Sequence, residues 1–516
     1  MTFDISRRTL LRGGLGVATT GTLLGLASSA QAVGDPETPA GTAGGPPSDS
    51  AGGTPAGPGT PAGPAGGPPA DAEIYGVPTV NPLIEQRADP CITHPVAGMY
   101  YFTGSVPEYD RIVVRGASTI AGLATASESV IWRRPASGRM AGHIWAPELH
   151  RIDNRWYIYF AAGDSDDVFR VRMYVLESTL ADPRDPAGWV LRGQIATEWD
   201  SFSLDATTFE HAGRRYLVWA QSEPEIAVNS SLYIAEMSSP WALAGKPVRL
   251  TTPTRNWEIR GYRVNEGAAV IVRNGRVFLT FSASATDARY CMGLLTASEN
   301  ADLLDRASWV KTPDPIFVTN EQTGQYGPGH NTFTVAEDGV TDVLVYHARD
   351  YRDIAGDPLY DPNRHTRVQK LYWHHDGTPL FGIPVGTGGP IVRLTPADAR
   401  SAFVRQSAFV VRVDTDVREL ADSQFRFVPG FAGDGTESIG SVAYPDRYLR
   451  VVGDTVRIDP FEAGDAYAGQ TSFRRIPRGK GVTLQVAGDG NTYLRHDSGT
   501  LTTGPLSGAR TTFLLS

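Results

Sequence analysis

The chain of 516 residues contains only two cysteines, Cys91 and Cys291, and no Cys/His spacing of the kind that holds structural zinc. A disulfide scaffold is therefore excluded, and the two thiols, 200 residues apart in dissimilar apolar surroundings, are expected to be buried and free. Basic charge is also scarce: 47 Lys and Arg face 56 Asp and Glu, the net charge is −9, and no Lys/Arg run occurs. A phosphate backbone needs a clustered basic face, so nucleic acid is excluded as a partner and a neutral or weakly charged ligand fits better. At the N-terminus, the apolar run from Leu15 to Ala27 is short for a membrane span, so no membrane partner is expected, with an anchoring helix as the alternative.

That run belongs instead to a pattern of export. Arg7 and Arg8 precede it, and Ala30-Gln31-Ala32 follows as a small-residue cleavage site. Ser6-Arg7-Arg8-Thr9-Leu10-Leu11 resembles a twin-arginine signal, which implies a bacterial protein secreted already folded, with residues 1–32 removed. Residues 33–73 are almost wholly Gly, Pro, Ala, Thr and Ser, too poor in apolar surface to offset chain entropy, and are expected to form a disordered linker.

From residue 74 to 396, short aromatic and β-branched runs alternate with Gly, Asn and Asp turns, without sustained helical periodicity. Hairpin turns recur at Gly98, Asp153-Asn154, Ala212-Gly213, Asn274-Gly275 and Asp338-Gly339. Taken at residues 98, 154, 213, 275 and 339, their steps are 56, 59, 62 and 64 residues. Such even spacing predicts an all-β fold in which five units form a five-bladed β-propeller, with a central channel for a site. Residues 397–516 repeat on a shorter period. Phe409-Val410-Val411-Arg412, Tyr448-Leu449-Arg450 and Tyr493-Leu494-Arg495 recur at 39 and 45 residues, and Phe425, Phe473 and Phe513 at 48 and 40. Three such units predict a β-trefoil.

Three acids stand out by position. Asp89 lies at the start of the first unit, Asp205 at the start of the third and Glu266 at the start of the fourth. In a propeller the starts of innermost strands ring one end of the channel, so all three are expected to face one cavity. Glycoside cleavage needs one carboxyl to protonate the leaving oxygen and another to attack or to activate water. A third can raise the acid's pKa by like-charge repulsion. Strand-end acids that merely cap loops are the structural alternative.

Arg87-Ala88-Asp89-Pro90, Trp145-Ala146-Pro147-Glu148, Ser203-Leu204-Asp205-Ala206, Asn265-Glu266-Gly267 and Gly327-Pro328-Gly329-His330-Asn331 together resemble glycoside hydrolase family 43 across about residues 80–390. The resemblance implies Asp89 as general base, Glu266 as general acid and Asp205 as modulator of the acid's pKa. It also implies inversion of configuration, for which such a pair stands roughly 6.5–9.5 Å apart. No cofactor is required. His330 resembles the family's axial histidine, implying a water-coordinated calcium or sodium ion in the channel, with a histidine that holds no ion as the alternative. Arg367 would bond a sugar hydroxyl or pair structurally with an acid. His143, Trp145 and Trp199 would wall a sugar subsite, against the alternative that the tryptophans pack between blades.

The segments around His143, Asp205 and His330 most resemble actinobacterial exo-α-1,5-L-arabinofuranosidases. Arabinan or an arabinose-containing plant polysaccharide is thereby the expected partner, and the chain is expected to be a monomer. Another pentosidase of the family, either an arabinoxylan-debranching arabinofuranosidase or a β-xylosidase, is the enzymatic alternative, and a noncatalytic sugar-binding protein the other. The C-terminal repeats resemble the family 42 carbohydrate-binding module. Only His496 of Tyr493-Leu494-Arg495-His496 keeps that module's histidine, its counterparts being read as Val451 and Val413. The acid expected downstream is missing, with Asp465 and Asp489 as candidates nearby, so at most one pocket is expected, centred on His496, with a purely structural trefoil as the alternative.

Overall fold

Tight turns with two consecutive positive φ angles define the N-terminal architecture. Ala97-Gly98, Asp153-Asn154, Ala212-Gly213 and Asn274-Gly275 all adopt this form, which matches the twist of the strands it joins. A computed structural model describes residues 79–433 and 435–516 of the chain. The expected export signal (1–32) and linker (33–73) lie outside the described residues.

Each turn joins the innermost strand of a blade to the second. The innermost strands are Ala88–Ile92, Ile144–Ile152, Ser203–His211, Asn265–Arg273 and Tyr326–Val335, and each begins an antiparallel sheet of its own. Both faces of these sheets are covered, so their strands read as near-continuous apolar runs. Arg155–Ala162, for instance, is buried at every residue after the first.

Five separate apolar cores fill the spaces between blades. Tyr101, Ile112 and Phe160 join blades 1 and 2; Tyr159, Trp219 and Tyr233 join blades 2 and 3. Val218, Leu279 and Phe281 join blades 3 and 4, while Met292, Leu344 and Tyr346 join blades 4 and 5. The fifth core, with Ile92, Phe102, Val343 and Val345, joins blade 5 back to blade 1 and completes the ring. Truncating a fully buried aromatic such as Trp219 in one of these cores would cost about 3–5 kcal/mol. The segment ahead of blade 1 also helps to close the ring. Ile84 bridges Thr366 on the outer strand of blade 5, and Asn81 exchanges backbone hydrogen bonds with Gly388.

Twelve strands from Leu394–Pro396 to Phe513–Leu515 form the C-terminal trefoil. Leu394–Pro396 pairs with the last strand, so the trefoil begins before the expected boundary at residue 397. Its three hairpins start at Phe403–Ser407, Arg447–Val452 and Tyr493–Asp497. This alters the repeat alignment: the counterpart of Tyr448-Leu449-Arg450 is Phe403-Val404-Arg405, not Phe409-Val410-Val411-Arg412. The core confirms the threefold relation. Leu394, Ile439 and Leu484 follow one another at intervals of 45 residues, as do Val404, Leu449 and Leu494, and Val411, Val456 and Leu501. The counterparts of His496 are thus Gln406 and Val451.

Candidate active site

A β-bulge interrupts the innermost strand of every blade at an equivalent place, shifting its register against the second strand. The residues Asp89, Ala146, Asp205, Gly267 and His330 occupy the five bulges, all with φ between 43° and 60°. Bulges bend a strand and re-aim its side chains. Here they bring Asp89, Asp205 and His330 together at one end of the channel. Glu266 immediately precedes the fourth bulge. Glycine at position 267 leaves room for the His330 ring, from which a Cβ there would stand only 3.1 Å.

The bulges are tied to one another around the ring. Ser105 on the second strand of blade 1 donates its hydroxyl to Asp89 Oδ2 at 2.6 Å and accepts the N–H of Ala146 at 2.8 Å. Ser282 accepts the N–H of His330 at 2.7 Å, and Asp205 Oδ2 accepts that of Gly267 at 2.9 Å. At the seam, His347 Nδ1 accepts the N–H of Asp89 at 3.0 Å.

Three acids in one buried place do not behave alike. Burial alone would raise the Asp89 carboxyl, but Arg364, His330 and the Ser105 hydroxyl hold it well below the usual carboxylate range. Arg364 Nη1 and His330 Nδ1 each lie 3.3 Å from Asp89 Oδ1. Asp205 is pushed up to about 6 by burial and by the charges of Asp89 and Glu148, although His330 Nδ1, 3.8 Å from its Oδ2, opposes the rise. Burial would lower His330, yet Asp205, Asp89, Glu148 and Glu266 raise it above the ordinary imidazole value. Glu266 is itself buried, with Oε2 3.5 Å from the Ser230 hydroxyl. Tyr290 completes the cluster: its ring stacks on that of His347 at 5.8 Å, and burial with the charges of Glu266, Asp205 and Asp89 raises its phenol. One acid held ionised beside others crowded by like charge is an arrangement able to perform acid–base hydrolysis.

Comparison with known proteins agrees with this geometry. The model of glycosyl hydrolases family 43 matches residues 79–379. The chain belongs to this family. An extracellular exo-α-(1→5)-L-arabinofuranosidase of Streptomyces avermitilis is 58% identical over 359 residues, spanning 70% of this chain and 74% of that protein. Alpha-L-arabinofuranosidase 43 of Humicola insolens is 52% identical over 434 residues, 81% of this chain and 90% of its own. The crystal structure of an α-L-arabinofuranosidase from Lactobacillus brevis superposes with a TM-score of 0.59 at 56% identity, covering 60% of this chain and 98% of that one. An α-L-arabinofuranosidase B (ABFB) domain model matches residues 392–514.

Other residues expected at this family 43 site fall into two groups. His143 and Trp145 are buried, their rings stacked at 4.8 Å, with Tyr109 packed edge-on to both. Tyr109 joins them to the acids, since its hydroxyl accepts from Arg364 Nη2 at 2.9 Å. Trp199 is not part of this group; it packs against Tyr233 between blades 2 and 3. Arg367 is likewise structural. It is fully buried and bonds Asp350 at 2.6 Å and the Val385 carbonyl, so its guanidinium is committed to the fold. The arginine that reaches Asp89 is Arg364, just ahead of the strand that carries Arg367.

The axial position of His330 does not make a direct cage for calcium, which takes six to eight oxygens. Its Nδ1 is turned towards Asp89 and Asp205, and no group of three or more His, Cys, Asp or Glu among the described residues is arranged to hold a metal. Water would have to supply most of the shell of any calcium or sodium ion there. Cys91 and Cys291 are buried and free, and burial raises both thiols.

In the trefoil, His496 Nδ1 lies 3.0 Å from Asp398 Oδ1. The acid beside this histidine comes from 98 residues upstream, because the trefoil brings its first and third units side by side. Neither Asp465, which opens the helix Asp465–Thr471, nor Asp489, which holds a turn through Asn491 and Thr492, takes that place.

Arg364, His347, Ser105, Ser282 and Tyr290 were not among the residues expected from sequence. For three of them a signal existed. Ser105, Ser282 and His347 pair with the residue just before a bulge, or with the bulge flank, at the spacing of the hairpin turns.

Proposed function

We propose that this family 43 enzyme releases L-arabinofuranose from the nonreducing ends of α-1,5-arabinan and arabino-oligosaccharides, with inversion. The environment of Asp89 is the observation that carries the reading: Arg364, His330 and a serine hydroxyl keep its carboxylate ionised inside the protein. In this role it removes a proton from water as that water attacks the anomeric carbon. Glu266 protonates the departing glycosidic oxygen. Asp205, bonded to the N–H of Gly267 next to Glu266, supplies the negative charge that keeps the acid protonated. His143 and Trp145 form an apolar wall for the terminal sugar. The chemical steps need no cofactor, and a water-held calcium or sodium ion beside His330 would stand outside them.

The preference for arabinan rests on the names of the relatives above and on the ABFB-type trefoil, in which His496 and Asp398 would bind an arabinose residue. Export through the twin-arginine signal to the cell exterior, and action as a monomer, belong to the same proposal. Proton NMR of the first product from arabino-oligosaccharides tests it. Release of β-arabinofuranose without internal cuts is expected, while an α-configured first product would refute inversion.

A further inference from the structure

Resting on the assignment of Glu266 as the acid, we infer that Glu258 positions it by way of Asn265, and that Lys311 holds Glu258 for that task. The three acids are not aimed in the same way. Asp89 and Asp205 occupy bulges, which re-aim their short side chains. Glu266 stands one residue before the bulge at Gly267, and its longer side chain has one more bond to rotate. Its direction therefore depends on how the start of the strand, at residue 265, is fixed.

Position 265 is unlike its counterparts. Two residues before the bulges of blades 1, 2, 3 and 5 stand Arg87, Ile144, Ser203 and Pro328. Blade 4 has a side-chain amide there, and Asn265 is fully buried. Both ends of the amide are engaged. Its Oδ1 accepts the Thr251 hydroxyl at 3.1 Å, while Nδ2 donates to Glu258 Oε1 at 3.1 Å and to the Val264 carbonyl at 2.9 Å. The backbone N–H of Asn265 donates to the Ser230 carbonyl at 3.1 Å, and the Ser230 hydroxyl is the group 3.5 Å from Glu266 Oε2. Fixing Asn265 thus fixes the peptide that leads into the acid and ties it to the residue whose hydroxyl faces the acid.

Glu258 is the hub of this arrangement. It lies fully buried in the connection 252–264 between blades 3 and 4. Its Oε2 accepts the N–H groups of Thr254 and Arg255, each at 2.8 Å. Its Oε1 takes Asn265 and the ammonium of Lys311, from the short outer strand Val310–Lys311 of blade 4. Lys311 also donates to the Thr251 hydroxyl at 2.8 Å and to the Thr252 carbonyl at 3.1 Å. Burying such a pair carries a desolvation cost that well-packed apolar residues would avoid, so it is a poor source of stability. What it supplies is geometry. Four donors converge on one carboxylate, and blade 3, the connection and the outer strand of blade 4 are all tied to the residue that precedes the acid.

The test compares arabinobiose, whose leaving group must be protonated, with a dinitrophenyl arabinofuranoside, whose leaving group need not be. A catalytic group displaced by about 1 Å can cost about 100-fold in rate. In the full-length protein, Asn265→Ala should lower kcat on arabinobiose about 10–100-fold with KM little changed, and kcat on the dinitrophenyl substrate less than about threefold. Glu258→Gln combined with Lys311→Met leaves no unpaired ion, and should shift the ratio of the two rates in the same direction by about threefold or more. Glu177→Gln serves as the comparison. It loosens an equally buried carboxylate, bonded to Arg155 and Tyr157 of blade 2, and should leave the ratio unchanged. Folded variants at 265 or at 258 and 311 that lose both activities in equal proportion, or neither, overturn the inference, as does an equal shift in Glu177→Gln. Should Asn265→Ala not fold, the double variant decides alone. A Glu266→Gln enzyme that recovers nothing on the dinitrophenyl substrate would instead refute the acid assignment on which the inference rests.

Discussion

The backbone N–H of Asp89 donates to Nδ1 of His347 across the seam where blade 5 meets blade 1, at 3.0 Å. An accepting Nδ1 places the imidazole proton on Nε2, and burial, with Arg364 close by, keeps His347 well below its ordinary pKa and neutral. The proposed base is thus oriented by a group from the last blade.

Replacing His347 by alanine leaves a buried N–H without its acceptor, at a cost of about 1–3 kcal/mol. We expect a lower Tm, and a fall in kcat with KM little changed. Thermal unfolding and steady-state kinetics on an aryl arabinofuranoside check both; an unchanged kcat would mean that Asp89 holds its position without the histidine.

The two principal acids should be separable by leaving group. Asp89→Asn and Glu266→Gln should each lower kcat about 10²–10⁴-fold on arabinobiose. With a dinitrophenyl arabinofuranoside, which leaves without protonation, Glu266→Gln should recover most of its activity and Asp89→Asn should not. Equal recovery of both would invalidate the assignment of roles.

Arg364 and Arg367 offer a sharper contrast. Arg364→Met removes the cation beside Asp89, so the base's pKa should rise and the acid limb of the kcat/KM profile should move to higher pH. Arg367→Met removes a buried guanidinium from its exposed partner Asp350 and from the Val385 carbonyl, and should lower stability without moving that limb. The pH profiles and urea unfolding of the two variants distinguish these outcomes.

Asp205 should link pH to stability. Its folded pKa of about 6 lies above the value of about 3.9 for an unfolded aspartate. Its contribution is therefore fully present below pH of about 4 and is lost as pH rises through about 6. Asp205→Asn should be more stable than wild type at pH 7 by about 1–3 kcal/mol, with the difference shrinking towards pH 4. Loss of its charge should also let Glu266 ionise sooner, moving the alkaline limb of kcat/KM to lower pH. Urea titrations at the two pH values and the rate profile test the two halves independently.

For the trefoil, affinity electrophoresis in arabinan gels should show weaker retardation for His496→Ala and for Asp398→Ala than for wild type. Wild-type mobility in both variants would exclude this pair as the binding site.

The propeller was legible because its hairpin turns carry the period openly, and each of the three acids lies at a bulge or next to one. Arg364 was harder to find, since its loop has no counterpart in the other blades and only its return path brings it to Asp89. Arg367 sits on an alternating strand, where sequence does not reveal that Asp350 already holds its guanidinium. The trefoil repeat was recognised in a shifted alignment because Phe409 resembles Tyr448, whereas the hairpin geometry selects Phe403. Asp398 is not legible in the sequence because no local pattern reports that residues 98 positions apart meet.

The clamp of Asn81 on Gly388 and of Ile84 on Thr366 gives the fold an order in time. Chain made near the beginning of synthesis must wait for blade 5 before its partners exist, since contacts so distant in sequence form late. Until then blade 1 has one finished flank and one open one, and Asp89 lacks both His347 and Arg364. The same event that seals the ring assembles the surroundings of the proposed base, so a nascent chain shorter than about blade 5 should be devoid of hydrolytic activity, however many of its acids have already been made.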